Sequence, residues 1–391
     1  MVYVSGFKRK HKKVVIGGND GNIMLGHAYW DHEFSKSMIN LLNEGSETGR
    51  YDNSLWEQIL MDNVNNLPPM GIRLYPNGII FEFDSLDELR KFDDTYVKKT
   101  DSMIMHNICS VLNCREQDIL NFMTIKEGIT NTSFVFEVYG KKYVYRHPGP
   151  DSEVLISRKR EKEVLEKVKK YDIDPTYIYM SEEGWKISHY IEDFRIPDYN
   201  SFEDSKRVCN VIKKLHSIDV KVDWEFDPWE KASYLEGLLN TNSTPIADDE
   251  FIDIKEDIRR CNEIAKECNL DKVLCHCDTY AHNWIISNSN TILIDWEYAG
   301  NADPGCDVGS YIMDSMWDIP EAETFIRLYC GENYSEQLRI HYLAFTAVIS
   351  FYWYVWALYR EHSGIVMGDS LYRWRAMAKK YSKYIKKTTG V

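Results

Sequence analysis

Residues 273–286 read VLCHCDTYAHNWII, and how this stretch is understood decides how the rest of the chain is read. Cys275, His276 and Cys277, with His282 close behind, invite a zinc site. Structural zinc wants four thiolate or imidazole ligands at compatible spacing. The sequence offers no second cluster of Cys or His to complete such a set. Cys275 and Cys277 therefore read as small buried hydrophobes of a short strand. What remains is a carboxylate, Asp278, and an amide, Asn283, five positions apart.

The segment that follows, NWIISNSNTILIDW (283–296), reads as a β-hairpin turning at Asn288–Asn290, which returns Asp295 to the side of Asn283. Phosphoryl transfer needs a carboxylate near the acceptor hydroxyl and a few oxygen ligands that hold Mg²⁺ against the phosphates. Asp278 meets the first requirement, while Asn283 and Asp295 meet the second. Mg²⁺ takes few protein oxygens and leaves its other positions to water and phosphate. The alternative is a plain hairpin that carries polar residues. The order acid, amide, hairpin, acid is far more specific than either half of it.

Composition narrows the class. The chain has 391 residues, room for two or three domains with real cores. Its 44% hydrophobic and 28% charged content is ordinary for a soluble globular protein. A net charge of −14 argues against nucleic acid or an anionic membrane surface as the main partner. Nine cysteines without paired spacing suggest reduced thiols and a cytoplasmic protein. The opening MVYVSGFKRKHKKVVIGG is basic but lacks an apolar stretch, so it does not read as a secretory signal. LAFTAVISFYWYVWALY (343–359) approaches membrane length, yet it carries Thr and Ser and is crowded with Tyr and Trp. It reads as a buried helix, and no stable membrane insertion is expected.

Three segments emerge along the chain. In residues 1–97, KKVVIGG and GIIFEF look like strands, and HEFSKSMINLLNEG and SLWEQILMDNV like helices. FDSLDELRKFD opens a further helix with Ser85 as N-cap and Glu88 three residues on. Residues 98–192 begin with a helix, SMIMHNICSVLN. Three short antiparallel strands follow in FMTIKEGITNTSFVFEVYGKKYVYRHPG, with glycines at the turns, and then a long charged helix, SEVLISRKREKEVLEKVKKY. Residues 193–391 read as mostly helical apart from the 283–296 hairpin. A small β-rich lobe before a larger helical lobe is the layout of an enzyme that clamps a nucleotide between them.

HCDTYAHNWII (276–286) and LIDWEYAGNADPGCDVGSYI (293–312) together resemble the double signature of the choline/ethanolamine kinase and aminoglycoside phosphotransferase superfamily. The resemblance extends over about residues 98–391 and is closest to the bacterial choline kinases. It implies an α+β, protein-kinase-like bilobal fold that uses ATP and Mg²⁺. Asp278 would be the catalytic base, Asn283 and Asp295 the Mg²⁺ ligands, and His276 a structural support of the loop. EGITNTSFVFEV (127–138) resembles the family's phosphate-covering turn, which puts Asn131 and Thr132 beside the nucleotide. YRHPGPDSEVLISRKRE (145–161) resembles the strand and helix that come next, so Arg146 and Glu161 would form the ion pair that orients the phosphates. Lys141, Lys142 and Glu163 lie near enough in sequence to leave that pairing open. Backbone groups around SHYIEDF (188–194) would hold adenine.

For the acceptor, choline presents a quaternary ammonium, which has no N–H to donate and is recognised by aromatic faces with a carboxylate nearby. Trp353 and Trp356 are three apart, hence on one helical face, and resemble the F-x-W-x-x-W stretch of choline kinases. By the same resemblance Tyr298 and Tyr372 belong to the cage. Asp314 stands where the family usually has a glutamate, which shortens the reach of the carboxylate towards the ammonium. The competing reading of such an aromatic stripe is core packing. The expected reaction is ATP-dependent phosphorylation of choline. Ethanolamine and aminoglycosides are the alternative acceptors, and a non-catalytic choline or phosphocholine binding module is the alternative of another class. Such a module would have no need for Asp278, Asn283 and Asp295 together.

The first 97 residues have a resemblance of their own. GNIMLGHAYWDHEFSKSMIN (21–40), NSLWEQILMDN (53–63) and IIFEFDSLDELRKFD (79–93) are similar to the C-terminal half of a sugar-phosphate or phosphocholine nucleotidyltransferase. That resemblance makes Asp84 a Mg²⁺ ligand; a carboxylate placed at a helix start for the sake of the dipole is the competing reading. The family's glycine-rich phosphate loop and first metal aspartate have no counterpart, so this partial α/β segment is expected to be inactive as a cytidylyltransferase. Half of such a sheet would leave an unpaired edge, which calls for a partner or the missing half-domain.

Overall fold

The computed structural model describes residues 28–51, 54, 56–63, 65–68, 83, 86–98, 100–125, 131–149, 156–241, 249–288 and 290–390. The chain divides into two compact units, 1–83 and 84–391. The first holds helices α1 (His32–Thr48) and α2 (Trp56–Asp62), where the sequence pattern expects them. Asp31 caps α1 by accepting the Phe34 N–H at 2.8 Å. Phe34, Met38, Ile59 and Leu67 form the buried core of this unit, with Trp30, Tyr51 and Trp56 packed on it. The strand expected over KKVVIGG, that over GIIFEF apart from Phe83, and the candidate residues Asp84 and Ser85 lie outside the described residues.

The second unit opens with α3 (Leu86–Phe92), α4 (Thr95–Lys98) and α5 (Met103–Leu112). The sequence reading put the first of these in the N-terminal segment and took the residues of the second as a polar boundary. They belong instead to the second unit, where Arg90 donates to the carbonyl of Ile119 and, at 2.9 Å, to that of Glu116. Strands β1 (Ile119–Ile125), β2 (Asn131–Val138) and β3 (Lys141–Pro148) follow as expected. Tyr139 and Gly140 connect β2 to β3 with φ of 51° and 74°, the left-handed pair that a two-residue hairpin demands. Past α6 (Arg158–Val168) come β4 (Tyr177–Met180) and β5 (Lys186–His189), a hairpin that the sequence reading missed. The antiparallel sheet runs β1-β2-β3-β5-β4. Phe136, Tyr143, Tyr145 and Ile187 line its buried face. Arg146 breaks the alternation of β3, a buried cation beside buried Tyr145.

The helical part comprises α7 (Phe202–Ser217), α8 (Pro228–Thr241), α9 (Asp249–Lys266), α10 (Gly305–Ser315), α11 (Ile319–Cys330), α12 (Glu336–His362) and α13 (Asp369–Thr389). Between α9 and α10 run β6 (Val273–Cys275), β7 (Trp284–Ile286), β8 (Thr291–Leu293) and β9 (Gly300–Ala302). The expected hairpin is β7–β8, and β6 pairs with β9. α12 is long and apolar enough to cross a membrane, but 89% of its most apolar window is buried inside the protein. It is the central core helix, and α10 lies close against it. A Cβ on Gly309 would come within 3.0 Å of Ile349 and 3.2 Å of the Thr346 backbone, so only glycine permits the approach. Gly309→Val is therefore expected to destabilise the protein by about 1–3 kcal/mol through overpacking. A lowered urea midpoint checks this; an unchanged midpoint would contradict the close packing.

Candidate active site

The loop after β6 is held from beneath by one carboxylate. Asp307, fully buried in the first turn of α10, accepts the N–H groups of His276 at 3.0 Å and Cys277 at 2.6 Å. His216 meets the same carboxylate at 2.9 Å and turns its other ring nitrogen to the Tyr329 hydroxyl at 2.7 Å. Thr279 donates its hydroxyl to the Asp307 carbonyl at 2.7 Å. Burial alone would raise the Asp307 carboxyl, but His216 and the loop amides hold it below the usual carboxylate range. His216, Cys275 and Asp307 come within 4.8 Å of one another, but both oxygens of Asp307 already serve the loop amides. His276 is sealed in the interior with Nε2 at 2.9 Å from the Ile294 carbonyl, and burial lowers its pKa, favouring the neutral ring.

Cys277 adopts φ of 67°, a strained conformation for a side-chain-bearing residue, and Asp278 follows it at the rim of the site. The Asn283 amide nitrogen donates to both the Asp278 carbonyl and its Oδ2 at 2.8 Å. The N–H of Ile294 closes on the Asn283 carbonyl at 2.9 Å, so β8 delivers Asp295 to the same place. Asp295 is also left-handed, with φ of 69°. Burial and the neighbouring carboxylates of Asp295 and Glu297 push the Asp278 carboxyl well above its usual value, making it a stronger base than a surface aspartate.

On the sheet side, Arg146 makes two 2.6 Å bonds to the Glu161 carboxylate and reaches Asp295 with its other terminal nitrogen. Arg158 joins Glu161 at 3.1 Å, Glu297 at 2.9 Å and the Asn131 side chain at 2.8 Å; Lys186 lies 3.3 Å from Glu161. Burial would raise Glu161, but Arg146, Lys186 and Arg158 outweigh it and hold the carboxyl low. Thus Arg146, Glu161 and Asn131 are brought together with Asp295, whereas Thr132 is exposed on β2. Sequence reasoning missed Arg158, Lys186 and Glu297. Glu297 carried a signal, two residues after Asp295 in the turn that follows the hairpin; Lys186 lies on the missed hairpin.

On the opposite flank, Tyr298, Trp353 and Trp356 are buried in one cluster, with ring centroids 5.2 Å apart for Tyr298–Trp353 and 5.5 Å for the tryptophan pair. Among the described residues, the Tyr298 hydroxyl and both indole nitrogens find no hydrogen-bond partner. Burial, with smaller contributions from neighbouring groups that include Asp278, pushes the Tyr298 and Tyr352 hydroxyls well above their usual value. Tyr372 is not in this cluster: it is 66% exposed, and Trp374 packs on Trp353 and Trp356 at 5.7 and 6.2 Å instead. The buried stripe of α13 runs through Leu371, Met377, Ala378 and Tyr381, a periodicity that points to Trp374 and turns Tyr372 outward. Buried Arg360 lies with its guanidinium 5.5 Å from the centre of the Trp356 ring. Asp314 is buried, with its carboxylate on the Ala281 N–H and the Tyr199 hydroxyl.

This architecture agrees with known proteins. Residues 122–384 match the choline/ethanolamine kinase family, and the chain belongs to it. It is a choline kinase-like phosphotransferase, with choline or ethanolamine as the acceptor class. Protein LicA of Haemophilus influenzae is 23% identical over 259 residues, 62% of this chain and 74% of that one. The crystal structure of the choline kinase LicA from Streptococcus pneumoniae superposes with a TM-score of 0.62 at 23% identity, covering 73% of this chain and 99% of that one. That likeness shows the protein-kinase-like bilobal fold. A choline-phosphate cytidylyltransferase of Streptococcus pneumoniae is 23% identical over 91 residues, 23% of this chain and 39% of that protein.

Asp307→Asn is expected to cost at least about 2 kcal/mol at pH 7, because a buried loop N–H loses its acceptor. The lowered Asp307 carboxyl stabilises the fold above about pH 4 and loses that contribution as pH falls through its depressed folded value. Urea melts of wild type and variant should therefore converge on acidification; a gap constant with pH would contradict the charged-acceptor role.

Proposed function

We propose that the chain transfers the terminal phosphoryl group of ATP to the hydroxyl of choline. Asp278 takes the hydroxyl proton as the new P–O bond forms and ADP leaves. One observation carries the reading: Asn283 bonds to the Asp278 carboxylate, while the Ile294 N–H on the Asn283 carbonyl brings Asp295, paired with Arg146, to the same loop. Arg146, held in a two-pronged grip by Glu161, and Lys186 are placed to receive phosphate oxygens, and Asn131 flanks them.

A divalent cation suits Asn283 and Asp295. The Asn283 amide nitrogen is spent on Asp278, while among the described residues no hydrogen bond occupies its oxygen. Asp295 engages Arg146 through one oxygen, which leaves the other. Mg²⁺ bound there would supply charge neutralisation on the phosphates.

The acceptor side supports choline over ethanolamine. Indole nitrogens donate and never accept, so Trp353, Trp356 and Trp374 offer faces rather than partners for the three N–H groups of a primary ammonium. We also read residues 1–97 as a partial nucleotidyltransferase module, apart from the kinase chemistry, a reading that the 91-residue likeness to a cytidylyltransferase supports.

ATP turnover with Mg²⁺ tests the reading. Choline is expected to outpace ethanolamine and kanamycin, and Asp278→Ala to lose about a thousandfold in kcat. Turnover with kanamycin alone would return the tryptophans to core packing, and an active Asp278→Ala would remove the base. Arg146→Lys keeps the charge but not the fork, and should raise KM for ATP by about tenfold. An unchanged KM would take Arg146 away from the phosphates.

A further inference from the structure

Asp314 was expected at the ammonium, but its surroundings point elsewhere. It lies in the last turn of α10 and is 6% exposed. One of its oxygens accepts the N–H of Ala281 at 2.8 Å and the hydroxyl of Tyr199. The other faces Arg373 at 3.7 Å, and Arg373 also donates to the Asp314 carbonyl at 2.7 Å. Ala281 begins the 3₁₀ turn Ala281–Asn283 that aims the Asn283 side chain at Asp278. Tyr199 is itself fixed: its ring lies edge-on to Tyr311 at 5.2 Å, and its carbonyl accepts the Trp317 indole N–H at 3.2 Å.

We infer that Asp314 is a positioning residue, a clamp with Tyr199 and Arg373 that sets the Ala281–Asn283 turn and thereby the Asp278–Asn283 pair, and that it makes no contact with the acceptor. A carboxylate that already accepts an amide and a hydroxyl and faces a guanidinium has little left for a second cation. A pocket without this carboxylate holds its ligand through aromatic faces, which suits a quaternary ammonium and deprives a primary one of an acceptor.

The inference rests on the phosphotransferase reading for its kinetic arm and on the fold alone for its second arm. In the first, Asp314→Asn and Tyr199→Phe are expected to lower kcat with choline by about tenfold or more, since small misplacement of a catalytic pair is costly. KM for choline should stay within about threefold. In the second, amide hydrogen exchange of the 279–286 segment should quicken in both variants while the 350–358 segment of α12 keeps its protection. If Asp314→Asn does not fold, Tyr199→Phe decides alone, because it removes one hydroxyl and no charge. A rise in choline KM with kcat preserved, or unaltered exchange at 279–286, would overturn the clamp. Absence of choline turnover in the wild type would defeat the choline reading instead, and exchange would still decide the clamp.

Discussion

The hydrogen bonds from two successive backbone amides to one buried carboxylate hold the site together. A charge as deeply placed as Asp307 is tolerable only when it is fully paired. His216 and the N–H groups of His276 and Cys277 provide that pairing. The bonds also maintain the left-handed turn at Cys277, a conformation that needs surrounding structure to persist. From the turn, the rest follows in order: Asp278 is presented, Asn283 bonds back to it, and the β7–β8 hairpin returns Asp295. Gly305 and Gly309 let α10, which carries Asp307, lie against α12, which carries the tryptophans. Loop and aromatic cluster are thereby referenced to one helix.

The charge on the sheet side obeys the same constraint. Arg146, Arg158, Lys186 and Glu161 are all buried, and each is paired. Removing one member of such a group leaves an uncompensated buried charge, which costs far more than the group gains as a whole. Arg146 bridges Glu161 of the small lobe to Asp295 of the large one, and Arg158 does the same for Asn131 and Glu297. The two lobes thus meet through buried ion pairs.

How much of this was legible in the sequence follows from range. Asp278, Asn283 and Asp295 lie within one loop and hairpin, so spacing alone brings them together. Trp353 and Trp356 follow helical periodicity, and their pairing could be read directly. Tyr372 lies outside the tryptophan cluster because the stripe of α13 puts Trp374 on the buried face, a periodicity that the resemblance does not report. Asp314 was assigned from its place in the family pattern, although its partners, Tyr199 and Arg373, lie in distant segments. Arg158, Lys186 and Glu297 belong to a network whose members are far apart in sequence, and no local pattern announces a buried ion pair. The β4–β5 hairpin was missed because its strands are four residues each and weakly alternating.

The central claim is that the Tyr298, Trp353, Trp356 and Trp374 cluster holds a quaternary ammonium within reach of Asp278. Tryptophan fluorescence tests it directly, by titrating the protein with choline and, separately, with 3,3-dimethyl-1-butanol, which has the same shape and hydroxyl but no charge. Saturable quenching by choline, absent or much weaker with the neutral isostere and lost in Trp353→Leu, is the predicted result. Equal responses to the two alcohols, or an unchanged choline response in Trp353→Leu, would show that the cluster is core packing and that the acceptor binds elsewhere.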